Sequence, residues 1–96
     1  MEIIIKNRNE GKTSQLISLA DNYNGYIVCA DRDFVQHIMK IAKTTGKNIN
    51  MPITFDEFVR KQYYGAGVDK FYIDNADLLL QYLTAVRIEA ITLTNK

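Results

Sequence analysis

These 96 residues contain one cysteine, Cys29, and one histidine, His37. A lone cysteine excludes an intramolecular disulfide and fits a reducing, cytoplasmic setting. A lone histidine with no cysteine or second histidine at ligand spacing argues against a zinc site. No apolar run reaches the ~18 residues a membrane-spanning helix needs, and no secretory leader pattern opens the chain, so a soluble, cytoplasmic protein is expected. Charge is nearly balanced, with 12 Lys and Arg against 11 Asp and Glu. The basic residues are scattered and form no stripe, so nothing in the charge supports nucleic acid as a partner.

What is present is an alternation of apolar strand-like runs and helical stretches. The spacing predicts strands over 2–6, 26–30, 51–54, 70–74 and 90–94. Helices are predicted over 12–22, 32–45 and 76–84, with a short one from Phe55 carrying Phe58 and Val59. Asp31 is a natural N-cap, and Thr54-Phe55-Asp56-Glu57 reads as a capping box. Asn24-Gly25 and Gly46 mark helix ends, and Gly65-Ala66-Gly67 marks a turn. Strands alternating with helices imply a mostly parallel sheet covered on both faces. The expected fold is therefore α/β, a single three-layer domain over 1–96 with about five strands. Ligands of such sheets bind at the carboxyl ends of the strands, where Lys12, Asp31, Asp74 and Thr94 all fall.

The most informative motif is Gly11-Lys12-Thr13, which follows Ile3-Ile4-Ile5 and opens a helix. Backbone amides of such a loop can cradle phosphate, the Lys ammonium can reach the β- and γ-phosphates, and the Thr hydroxyl can ligate Mg²⁺. Some 60 residues on, Phe71-Tyr72-Ile73-Asp74 is an apolar strand ending in a carboxylate. Together these segments resemble the P-loop NTPase family, in the branch of helicase motor domains and phage terminases. The chain is also similar to small truncated P-loop proteins of phages and mobile elements in Gram-positive bacteria.

The resemblance implies ATP and Mg²⁺ as ligands. It implies a nucleotide site from Asn7, Arg8, Asn9, Glu10, Gly11, Lys12 and Thr13. Thr13 and Asp74 would hold the metal, and Thr94 would be a sensor of the γ-phosphate. The loop departs from G-x-x-x-x-G-K-[ST], because Lys6 stands where the first Gly belongs. Asn7 and Asn9 tolerate positive φ and can help the loop curl, while Glu10 must point away from phosphate. The branch also carries a catalytic Glu after the Asp, and here that position is Asn75, which has no titratable group. Asp77 is the nearest alternative carboxylate, although it fits a helix first turn better than catalysis.

Each feature also has a plainer reading. Asp74 can cap the following helix, Cys29 can be a buried strand residue, and Tyr63-Tyr64 can cover the core edge or stack on bases. Three functions stay open: a nucleotide-binding or vestigial P-loop module with little hydrolysis that works through a partner, an ATPase completed by oligomerisation, and a scaffold that binds no nucleotide. The resemblance also implies a strand order that leaves the 2–6 strand at or near a sheet edge, inviting a second copy or a protein partner to pair along it.

Overall fold

The computed structural model describes residues 11–63, 70–85, 89–90 and 92. They form an α/β fold in the order α1 (Lys12–Tyr23), β1 (Tyr26–Cys29), α2 (Arg32–Thr44), β2 (Ile53–Thr54), α3 (Phe55–Val59), β3 (Phe71–Ile73) and α4 (Ala76–Thr84). The strands make one parallel sheet in the order β2-β1-β3. Val28 stands opposite both Ile53 and Ile73, and Tyr26 and Ile27 stand opposite Phe71 and Tyr72.

All four residues of β1 are buried, as a central parallel strand requires when both faces are covered. Its side chains alternate between two cores. Ile27 and Cys29 join Leu16, Ile17 and Ala20 of α1 and Val35, Ile38 and Ala42 of α2. Tyr26 and Val28 join Ile53, Phe55 and Leu79, so α3 and α4 cover the opposite face. Helices thus flank the sheet on both sides. Fully burying side chains such as Ile27, Ile38 and Phe55 contributes about 1.5–3 kcal/mol each. Tyr63 leans on this second core, with ring centroids 5.9 Å from Tyr26 and 5.2 Å from Phe71. Tyr63 therefore covers the core edge; Tyr64 lies outside the described residues.

Local chemistry fixes the joints. Asn24 ends α1 in the left-handed region, its amide donating to the Ala20 carbonyl at 3.0 Å. Asp31 caps α2 by accepting from the Phe34 amide at 3.1 Å. Gly46, at φ 71°, ends the same helix: its amide donates to the Lys43 carbonyl and the Lys47 amide to that of Ala42. That pair of bonds is the Schellman pattern, which needs a left-handed residue and hence favours Gly. The capping box before α3 is complete, with Thr54 Oγ1 accepting from the Glu57 amide and Glu57 accepting from the Thr54 amide.

The strand number is a correction. Among the described residues the sheet has three strands, not five. The strand expected over 2–6 lies outside the described residues, as do Ile91, Leu93 and Thr94 of the strand expected over 90–94. Ala90 and Thr92 are described, exposed and not in a strand. The turn expected at Gly65-Ala66-Gly67 also lies outside the described residues, as does the self-pairing edge proposed along 2–6. No helix among the described residues is long and apolar enough to cross a membrane.

Candidate functional site at the carboxyl edge of the sheet

Helix α1 begins at Lys12 because Gly11 adopts φ 78°, ψ 21°, a left-handed turn that only Gly enters without penalty. Gly11 has no side chain with which to cap this helix, and the first bond of its ladder runs from the Gln15 amide to the Gly11 carbonyl. The amides of the first turn therefore have no partner within the helix. On the neighbouring strand, the Asp74 amide donates to the Val28 carbonyl at 2.9 Å and extends the β1–β3 ladder by one rung. That rung holds Asp74 at the carboxyl edge of the sheet, where the start of α1 also arrives.

The two segments meet through side chains. Thr13 Oγ1 donates to Asp74 Oδ2 at 3.4 Å, across 61 residues of sequence. Lys12 Nζ donates to Asn75 Oδ1. Asp74 is only 3% exposed, and its Oδ1 is buried with no hydrogen-bond partner among the described residues. Burial pushes the Asp74 carboxyl above its ordinary value, against the opposing pull of the Lys12 ammonium, the Thr13 hydroxyl and the charge of His37. Burial wins because the Thr13 bond is long and one oxygen has no donor among the described residues.

The residues fit a divalent cation bound together with phosphate better than a cation alone. Among the described residues no three His, Cys, Asp or Glu side chains gather as a cage. A hydroxyl and one carboxylate are too few ligands for Mg²⁺ unless phosphate oxygens and water complete the shell, which is how this ion usually binds. The orphaned Asp74 Oδ1 is the kind of group such a shell would satisfy.

Of the residues expected at the site, Gly11, Lys12, Thr13 and Asp74 come together. Asn7, Arg8, Asn9, Glu10 and Thr94 lie outside the described residues. Asp31 caps α2 and accepts from Phe34. Asp77 is exposed in the first turn of α4, where its charge favours the helix end. Cys29 is buried, and its thiol is pushed up to about 12 by burial first and then by the carboxylates of Asp74 and Asp31. Such a thiol is not a nucleophile near neutral pH. Asn75 matters in a way the sequence reading missed, since its side chain is the acceptor for Lys12. The available signal was an Asn directly before a helix, because Asn is the non-Gly residue most tolerant of the left-handed region it occupies here.

A hollow of about 480 Å³ on α2 and the following loop, lined by residues including Met39, Lys40 and Lys43, shares no residue with this edge. No protein-family model, no curated protein and no solved structure matches this chain.

Proposed function

We propose that this chain is a minimal P-loop nucleotide-binding module with little or no hydrolysis of its own, acting through a partner. The observation that carries the reading is the meeting of Thr13 with Asp74. A helix-opening hydroxyl and a strand-ending carboxylate, distant in sequence, are the pair that would share a Mg²⁺ ion beside a triphosphate. Two features support it. Lys12 sits in the same place, and the first-turn amides of α1 are free of the helix ladder. When bound, Mg²⁺ would neutralise phosphate charge; Thr13 and Asp74 would hold it, and Lys12 would contact phosphate oxygens.

Weak hydrolysis follows from Asn75, which cannot take a proton from water. Action through a partner is supported by α4, the helix that Asn75 begins, on which Leu78, Leu80 and Leu83 are exposed. A phage or mobile-element accessory role rests on the sequence resemblance alone.

The test is calorimetric titration of the intact chain with ATP–Mg²⁺, set against Lys12→Ala. Removing one charge-assisted contact costs about 1.5–3 kcal/mol, so affinity should fall roughly tenfold to over a hundredfold. Lys12 is partly exposed at a helix start, so the variant should keep its fold. Equal affinity in a folded Lys12→Ala protein would remove the nucleotide site from this edge.

A further inference from the structure

Asn75 does not behave as a residue before a helix usually does. Such a residue normally adopts extended backbone and caps the first turn with its side-chain oxygen. Asp31 and Thr54 both do so in this chain. Asn75 instead sits at φ 58°, ψ 62° and makes no side-chain cap bond. Its backbone carbonyl accepts from the α4 amides, while its side-chain Oδ1 accepts from Lys12, 63 residues earlier. Two local preferences of the α4 start, extended backbone and a side-chain cap, are given up, and what stands in their place is a neutral acceptor on a cation.

Neutrality is the informative part. Lys12 directly precedes Thr13, whose hydroxyl bonds the Asp74 carboxylate, so one carboxylate already lies at this edge. A second carboxylate at position 75 would close an internal ion pair around the ammonium and compete with any anionic ligand. A side-chain amide can aim the ammonium and leave its charge uncompensated. An ammonium carries three donors, so one bond to Asn75 leaves two for a ligand.

We propose that Asn75 is a positioning residue, a neutral tether that holds the Lys12 ammonium at the sheet edge and keeps it available to a phosphate-bearing ligand. The positioning stands on the contact itself; its consequence for phosphate binding rests on the nucleotide reading above.

The test separates the two. Limiting acetic anhydride labels lysines in the ligand-free full chain, and peptide mass spectrometry reports acetylation of Lys12 relative to Lys40, which is exposed on α2. Asn75→Gly is the principal variant, because Gly keeps the left-handed backbone while removing the acceptor. Release of the hydrogen bond from the part-exposed ammonium to a neutral amide should raise the Lys12-to-Lys40 ratio by about two- to tenfold. Asn75→Asp keeps the shape and adds charge, and it should lower the ratio below wild type, since the amine must lose its proton before it attacks. Circular dichroism accompanies each variant. A ratio in folded Asn75→Gly equal to that of wild type overturns the tether, as does a ratio in Asn75→Asp that rises. A parallel titration with ATP–Mg²⁺ should show Asn75→Asp weaker than wild type by about tenfold or more, the scale of a charged contact. Wild-type protein that binds no ATP–Mg²⁺ would end the nucleotide reading, while the labelling ratio still decides whether Asn75 holds Lys12.

Discussion

Asp74→Asn should make the ligand-free protein more stable near neutral pH. Asp74 is a nearly fully buried carboxylate with one oxygen lacking a partner among the described residues. An unsatisfied buried acceptor costs about 1–3 kcal/mol, and more when charged. Two favourable contacts oppose that cost. The Thr13 hydroxyl donates at 3.4 Å, which is long for an O–H···O bond and correspondingly weak. Lys12 attracts the carboxylate, but it is itself half-exposed and its ammonium is engaged by Asn75. Burial is the largest influence on this group, so the charged form is a net burden. Replacing it with an amide of the same shape should gain about 1 kcal/mol, the lower end of that range. For a domain of this size such a gain raises the melting temperature by roughly 4–8 °C.

The sign with pH follows from the same shift. A carboxyl group whose folded value is raised binds its proton more tightly in the folded state than in the unfolded chain. Its contribution to stability is therefore greatest below the unfolded value. It declines as pH rises through the folded value, and the full penalty applies above that. Wild type should lose stability over this window relative to Asp74→Asn, and the two should converge at the acidic end. Thermal melts followed by circular dichroism, from about pH 4 to about pH 8 without Mg²⁺ or nucleotide, measure the difference. Asp74→Asn melting below wild type near neutrality would refute the reasoning, because it would mean that the Lys12 and Thr13 contacts outweigh burial. Adding ATP–Mg²⁺ should reverse the order. A ligand at about 100 times its dissociation constant stabilises by roughly 2.7 kcal/mol, and only wild type retains the carboxylate that would help to hold the cation.

Three other outcomes are expected. Gly25→Ala should destabilise by about 1–3 kcal/mol, because a Cβ there would overlap the Tyr72 ring and lie 2.7 Å from the Lys70 carbonyl oxygen; chemical denaturation checks it, and a neutral effect would mean that β3 lies farther from the α1–β1 turn. Thr54→Ala should cost about 1 kcal/mol through loss of half the capping box before α3, with no change in ATP–Mg²⁺ affinity; equilibrium denaturation and calorimetry read the two parts. Turnover by the intact chain should be very slow and unchanged by Asp77→Ala, since that carboxylate is exposed in a helix first turn; a phosphate-release assay showing turnover that collapses in Asp77→Ala would make Asp77 the base.

The elements most legible in the sequence were those fixed by local chemistry. Asp31, Thr54 with Glu57, Asn24 and Gly46 each satisfy backbone groups within a few residues of themselves, so their types reveal their places. The pairing of 26–29 with 71–73 is of another kind, because it joins distant segments. The periodicity of either segment does not report it. The convergence of Thr13 with Asp74 has the same origin: parallel strands bring their carboxyl ends to one edge whatever residues those ends carry. Asn75 was read only for what it lacks, a titratable group. Its positive contribution depended on two things no local pattern reports, a left-handed backbone at a helix start and a cation arriving from another element. The strand expected over 90–94 is described only at Ala90 and Thr92, both exposed and outside any strand. Taken together, these cases separate two kinds of information. A residue that acts on its own backbone can be read locally, whereas one that acts on another segment becomes readable only after the topology has set that segment beside it. The candidate site belongs almost wholly to the second kind. Lys12, Thr13, Asp74 and Asn75 become a site because β1 carries α1 to the same edge at which β3 ends.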